Sequence, residues 1–332
     1  MNTNGELAEM VRHWPITEVV AWTTLHPKGT VWLVTTAPGA TFMLKQMTRE
    51  GPGHSQTQQL VSAYHVLLHL ERCGVPVAVP LLSMQGQPYI AHDTQLYTLT
   101  PSLAPRASAT RAMQDAAERG GEQYAQIGAA IGLLHRALAT YPQEIDSWTM
   151  ELPQRILGQA VPIVAGSLAE QERAWFLHQV AALTPGMERV FAGLPEQHIH
   201  GDCHMGNIIL GDTRVAGFID LDHLPVGPRV YDLGYVLADM IKWRITDAAE
   251  TARWLALAPR LIAGYEQESL LSAQEKESLW SVLLVVQLLF AEHYATAHDA
   301  EGVQLNLAAF AWFVAHGEEI GSRLRGSRGR TS

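Results

Sequence analysis

The chain has 332 residues, 47% hydrophobic and 17% charged, with a formal net charge of −10. That length and balance describe a globular protein with room for two lobes, and the acidic surplus argues against a nucleic-acid partner. Two cysteines, Cys73 and Cys203, are too few for a disulfide framework. The start, MNTNGELAEM, lacks the basic and apolar stretches of a signal peptide, and the longest apolar run, Trp280 to Ala291, is broken by Gln287 and too short to span a bilayer. The expectation is a cytoplasmic protein without membrane association; the oligomeric state stays open.

In chain order, Gly5 to His13 reads as a short helix stopped by Trp14-Pro15. Thr17 to Thr24, Val31 to Thr36 and Phe42 to Gln46 are rich in Val, Trp, Phe and Thr and read as strands, with Pro38-Gly39 turning before the third. Gln56 to Cys73 is helical and ends at Gly74 with Pro76 just beyond. Val79 to Met84, Tyr89 to His92 and Gln95 to Leu99 read as further short strands. Residues 106 to 121, rich in Ala, Arg and Gly, read as a loose surface segment.

Glu122 to Leu138 is a strong helix, with Tyr124, Ile127, Ile131, Leu134 and Leu138 recurring at three and four. His135 beside that stripe reads as a core histidine. Leu152 to Val164 and Ala169 to Leu183 are helical pieces. Beyond Arg229 the pattern is nearly all helix: Val230 to Trp243, Ala248 to Glu268, Ala273 to Ala297 and Val303 to Arg323. Trp254, Trp280 and Trp312 read as core, and residues 323–332 as a disordered tail. No internal repeat is visible.

The most informative stretch is His200 to Asn207, HGDCHMGN, followed thirteen residues later by Asp220 in GFIDLDH. Ile208 to Leu210 and Val215 to Ile219 are apolar, with Gly211-Asp212 between them, as in a hairpin. An acid, an amide five residues on, and a second acid after the returning strand are the parts phosphoryl transfer needs. One carboxylate takes a proton, while a carboxylate and an amide oxygen serve Mg²⁺, a cation that prefers hard oxygen ligands.

HGDCHMGN followed by IDLDHLPVGPRVYDLGYVLADM resembles the aminoglycoside phosphotransferase and choline kinase group of small-molecule kinases. The stretch around Asp222, Gly227-Pro228-Arg229 and Tyr231-Asp232-Leu233 is similar to the homoserine kinase and spore-coat-kinase-like branch. The resemblance implies an α+β, two-lobed, protein-kinase-like fold. Residues 1–100 would be the nucleotide-binding lobe and 101–332 the catalytic and substrate-binding lobe. It further implies Asp202 as catalytic base, Asn207 and Asp220 as Mg²⁺ ligands, and His200 and Asp232 as supports of the catalytic loop. Lys45 would reach the phosphates of ATP or GTP under a covering loop at Leu25 to Thr30, with its single glycine Gly29 beside Thr30. Thr100 to Pro105 would be the hinge, with the Pro101 carbonyl and the Leu103 amide facing the base.

The family pairs such a lysine with a glutamate on the next helix, and here none is evident. Glu50 could reach over, Gln59 could substitute, or the lysine could be held differently. Acceptor contacts are sought among Asp222, His223, Tyr231, Asp239, Trp243, Glu292 and Tyr294, with Asp222 foremost. Carboxylates there would suit an amine-bearing alcohol such as an amino sugar, an aminoglycoside, an aminoalcohol or homoserine.

Three other readings stand beside this one. A nucleotide-binding pseudokinase acting as an interaction module would explain the missing glutamate and the one-glycine loop. A zinc hydrolase would use His198, His200, Asp202 and His204, although Cys203 interrupts that pattern. A protein kinase is the fourth, weakened by the short interval between Asp220 and Asp232.

Overall fold

The computed structural model describes residues 4–25, 29–37, 39–48, 56–103, 121–142, 144–145, 147–211 and 214–326. Glu50, Asp212 of the hairpin turn, most of the 106–121 segment and residues 327–332 lie outside them. Two compact units divide the chain. One comprises Met1–Arg106, Tyr141–Asp146 and Ile209–His223; the other comprises Ala107–Thr140, Ser147–Ile208 and Leu224–Ser332. The first unit therefore draws in two later segments beyond the expected division at residue 100.

The first unit is built on a five-stranded antiparallel sheet of β1 (Val19–Thr24), β2 (Val31–Thr36), β3 (Thr41–Thr48), β4 (Ile90–His92) and β5 (Gln95–Pro101), in the order β1-β2-β3-β5-β4. Along β2, Trp32, Val34 and Thr36 alternate inward. They meet Leu44, Tyr97 and Leu99 and the apolar face of α1 (Asn4–Val11), where Leu7, Met10 and Val11 complete the core with Trp14. Because side chains alternate along a strand, burial of Leu44 under α1 puts Lys45 on the opposite face of β3. Lys45 stands in register with Val31 and Thr98.

Helix α2 (Gln56–Arg72) follows β3 and buries Ala63, Val66, Leu67 and Leu70. Val79 to Met84, expected as a strand, is not one. Pro80 offers no N–H, and the segment makes one rung, Leu81 N–H to Leu99 O at 2.8 Å, before a turn in which Gly86 N–H meets Ser83 O. The hairpin β7 (Ile208–Leu210) and β8 (Val215–Phe218) follows the His200–Asn207 loop. Strand β8 docks on the linker after α2 through Phe218 N–H to Pro76 O at 3.0 Å, and its Gly217 packs against Leu103 and Pro76.

The second unit is mainly helical. It contains α3 (Gly121–Ala139), α4 (Val161–Ser167), α5 (Glu170–Phe191), α6 (Val230–Ile241), α7 (Ala248–Glu268), α8 (Ala273–Thr296), α9 (Ala300–Ala315) and α10 (Gly317–Arg325), and the small ladder of β6 (Glu196–His198) with β9 (Val226–Pro228). A π-helical turn, Ile156–Ala160, precedes α4. Every member of the expected stripe on α3 is buried.

Helices α3 and α7 touch backbone to backbone. A Cβ at Gly128 would strike the Leu261 carbonyl, and one at Gly264 would strike the Ala125 carbonyl. Helix α8 buries every residue from Val282 to Leu288, Gln287 included; by length and composition it could cross a membrane, but 61% of its most apolar eighteen residues are buried inside the molecule.

Three helical expectations change. Helix α5 continues past Leu183 to Phe191 despite Pro185, because Phe176, Val180, Met187 and Phe191 are all buried and the Thr184 hydroxyl bonds the Val180 carbonyl at 2.9 Å. The last expected helix is two, broken at His316, whose ring stacks on Trp312 and whose neighbour Gly317 lies under the Trp280 indole. Arg323 to Arg325 close α10 and so are not part of a tail.

Candidate active site

In the helical unit the His200–Asn207 loop is held from below by one face of α6. Asp232 is fully buried and accepts two backbone N–H groups, from His200 at 2.8 Å and from Gly201 at 2.9 Å. Its Oδ2 also meets His135 Nε2 at 2.9 Å, and the other ring nitrogen of His135 lies 2.9 Å from the Tyr265 hydroxyl. His135 is thus a fully buried, hydrogen-bonded histidine. One turn along α6, the Tyr235 hydroxyl donates to Asp202 Oδ1 at 2.6 Å. One turn further, Asp239 Oδ2 accepts the Met205 N–H at 3.0 Å while its Oδ1 pairs with Lys242 at 2.9 Å.

Asp232, Tyr235 and Asp239 stand at i, i+3 and i+7, which is one face of a helix. That spacing is visible in the sequence, yet the sequence alone does not say what the face would grip. At the loop's start, Gly201 has φ +76°, and a Cβ there would run into Pro225. Both facts exclude a larger residue at the turn that presents Asp202.

The Asp202 side chain is 55% exposed. Its Oδ2 receives Asn207 Nδ2 at 3.0 Å, and the same Nδ2 meets the Asp202 carbonyl at 2.9 Å. With its NH₂ so committed, Asn207 keeps Oδ1, a hard oxygen, as its remaining acceptor atom. His204 Nδ1 accepts the Gly206 N–H, which leaves Nε2 as the nitrogen facing Asp202, 3.6 Å away. Cys203 next to Asp202 is fully buried, and burial followed by the charges of Asp232 and Asp202 pushes its thiol up, keeping it neutral.

A cavity of about 460 Å³ opens beside this loop. Asp202 and His204 lie at its edge, aromatic rings from Tyr231, Tyr235, Phe290 and Tyr294 form its walls, and Asp239 and Lys242 form a charged corner. The Lys242 ammonium sits 4.0 Å from the centre of the Phe290 ring. Of the acceptor contacts sought in the sequence, Tyr231, Asp239 and Tyr294 line this cavity. Glu292 instead pairs with Arg155 at 2.8 Å, and Trp243 and Asp222 are not among the lining residues.

In the first unit, Lys45 lies between two carboxylates, with Nζ 2.8 Å from Asp220 Oδ1 and 2.6 Å from Asp222 Oδ2. Burial pulls the ammonium down, but the charges of Asp222 and Asp220 outweigh it and hold it above the ordinary lysine value. Asp220 has φ +59°, a left-handed turn that aspartate tolerates better than most residues. The sequence left open Glu50, Gln59 or a different arrangement for this lysine; these two aspartates are a different arrangement, and Glu50 lies outside the described residues. Asp222, sought at the acceptor, has its carboxylate on the lysine. Gly29 turns with φ +66° between β1 and β2, and the Thr30 carbonyl accepts the Gln46 N–H at 2.8 Å. Pro101 closes β5 opposite Phe42, and Leu103 packs on Gly217.

Among the described residues there is no group of three or more His, Cys, Asp or Glu side chains that could hold a metal. Of the zinc pattern's histidines, His204 faces Asp202, while His198 turns its Nδ1 to the Leu224 carbonyl at 3.0 Å. One amide oxygen and one carboxylate suit Mg²⁺, which keeps several waters and takes few protein ligands, better than they suit zinc.

The loop with its bracing aspartate, in the helical unit, carried the sequence resemblance to small-molecule kinases, and that resemblance singled out the paired lysine, in the first unit. Residues 28–274 match the phosphotransferase enzyme family known as APH, and the chain belongs to that family. It is 29% identical over 216 residues to a homoserine kinase of Neisseria meningitidis, covering 63% of this chain and 62% of that protein. It is 28% identical over 196 residues to the serine/threonine protein kinase RdoA of Salmonella typhimurium, covering 56% and 54%. The matches thus span less than two thirds of these relatives. In fold, the chain is similar to a microcompartment-associated aminopropanol kinase, with a TM-score of 0.72 at 15% identity over 97% of this chain and 100% of that one.

Proposed function

We propose that this chain moves the γ-phosphoryl group of ATP or GTP to the hydroxyl of a small, amine-bearing alcohol in the presence of Mg²⁺. The observation that carries the reading is the Asp202 carboxylate. It is fixed at the edge of an aromatic-walled cavity, on the loop that matches the family's motif. The acceptor oxygen attacks the γ-phosphorus, its proton passes to Asp202, and the bond to the nucleoside diphosphate breaks. Asn207, through Oδ1, and Asp220 would hold Mg²⁺, which when bound offsets charge on the phosphate oxygens. Lys45 offers its ammonium to the same phosphates, with Asp222 fixing its direction. Gly29 and Thr30 cover the nucleotide, while Pro101 and Leu103 present a carbonyl and an amide to its base. His200 and Asp232 keep the loop in shape.

The cavity supports this acceptor class. Aromatic rings attract a cation through their faces; the Asp239 carboxylate and the Phe290 ring already hold the Lys242 ammonium, which leaves the rings of Tyr231, Tyr235 and Tyr294 to meet an amine. A volume of about 460 Å³ suits a small metabolite rather than a folded chain. A protein hydroxyl is the second reading, favoured by the name of the Salmonella relative.

The test is thermal unfolding with ATP and with GTP, each with and without Mg²⁺, on wild type and Asp220→Ala. A ligand that binds only the native state raises its apparent stability. The expected outcome is a Mg²⁺-dependent rise in wild type that the variant loses. No rise with either nucleotide at millimolar concentration would contradict the nucleotide site and favour the interaction-module reading.

A further inference from the structure

Asp202 is a half-exposed carboxylate on a loop, and an exposed aspartate samples several rotamers. A base that must meet a hydroxyl within hydrogen-bonding distance works only in one of them. The backbone of its loop is fixed through Asp232 and Asp239, but those contacts do not set the direction of the carboxylate. Two side chains do. Asn207 Nδ2 holds Oδ2 at 3.0 Å, and the Tyr235 hydroxyl holds Oδ1 at 2.6 Å. Among the described residues no other donor reaches Oδ1.

We propose that Tyr235 is a positioning residue for phosphoryl transfer, aiming the Asp202 carboxylate at the acceptor; this rests on the reading of Asp202 as the base. The phenol ring is built to do so. It is nearly buried, with Phe290 edge-on at 5.1 Å, Tyr231 at 5.9 Å and the His204 ring stacked at 6.2 Å. Burial first, and then the Asp202 charge, push its hydroxyl well above the ordinary tyrosine value, so it remains a donor. Its place on α6 matters too. One turn before it Asp232 holds the start of the loop, and one turn after it Asp239 holds Met205. A single rigid helix face thereby sets the loop and the carboxylate together.

The test compares wild type, Tyr235→Phe, Asp202→Ala and the double variant, each as the full chain. Thermal unfolding is read alongside steady-state transfer from Mg²⁺-ATP. The acceptor probe is L-homoserine or 1-amino-2-propanol, whichever wild type uses, or water if it uses neither. Phenylalanine keeps the ring and its packing. Losing a hydrogen bond to a charged group should lower kcat roughly ten- to hundredfold while both KM values stay within about twofold. The stability changes of the two single variants should be non-additive, and Tyr235→Phe should have no further effect on the residual rate of Asp202→Ala.

Unchanged kcat in Tyr235→Phe, a rise in KM without loss of kcat, or additive changes would overturn the proposal. If Asp202→Ala is inactive while Tyr235→Phe is normal, only the tyrosine's role fails. If Asp202→Ala turns over like wild type, the base assignment fails and takes this proposal with it.

Discussion

Lys45 is paired with Asp220 and Asp222 and not with a residue of the helix that follows its strand. An isolated ammonium next to a phosphate site would wander along its four-carbon stem; two carboxylates at 2.6 and 2.8 Å confine it. Asp222→Asn should therefore raise the KM for the nucleotide by about tenfold, the order expected for losing a charge-assisted bond, with little change in fold stability. Gln59→Glu should leave kcat/KM within about twofold, because the lysine already has its counter-charges; a large gain in steady-state assays would contradict that. Lys45 was singled out only through the family resemblance, because a lysine late in a strand of Phe, Met and Leu is by itself an ordinary exposed strand lysine. Its partners are not legible there, because Asp220 and Asp222 lie 175 and 177 residues away and meet it only through the docking of β8. Asp202 and Asn207 were readable for the opposite reason: they lie within one short loop, so spacing alone reports on geometry.

At the scale of elements, the loop depends on α6, and α6 depends on its neighbours. His135 from α3 and Tyr265 from α7 form a buried chain ending on Asp232, and the contact of Gly128 and Gly264 with the facing backbones sets the two helices close enough for it. Gly264→Ala should cost about 2 kcal/mol or more in urea unfolding, since the struck atom is a backbone carbonyl that cannot turn aside.

The start of α8 offers a pH test. Burial alone would raise the Glu275 carboxyl, but the Arg229 guanidinium and the Ser272 N–H outweigh it and hold it below its ordinary value of 4.5. A carboxyl depressed on folding stabilises the native state above the ordinary value and loses that contribution as pH falls through the folded one. The Tm of wild type should thus fall as pH drops below roughly 4.5, and Glu275→Gln should show a lower Tm at pH 7 with a flatter acid limb. Ser272 and Glu275 form a reciprocal capping box at this helix start. The break at His316 was not legible in the sequence, because it depends on Trp280 reaching Gly317 from another helix.

At the scale of the whole molecule, the order of elements was readable from periodicity: a strand-rich part first, then a helical remainder, with Lys45 in one part and the His200–Asn207 loop in the other. What periodicity misses is tertiary. Helix α5 runs through Pro185 because its apolar residues are buried on both sides of it, and Val79 to Met84 fails as a strand because Pro80 breaks the ladder. The same limit applies to the cavity proposed for the acceptor, which is assembled from α6 and α8 and the loop between β6 and β7.

The central claim is that Asp202 drives transfer of a phosphoryl group to a small alcohol. The direct measurement incubates Mg²⁺-ATP labelled at the γ-phosphate with a panel of amino alcohols, amino sugars and homoserine, using wild type and Asp202→Ala. The account predicts label in a small-molecule phosphate ester with wild type, at least a hundredfold less with the variant, and nucleotide affinity within a few fold between them. Equal transfer by both proteins, or label that enters only protein, would contradict it.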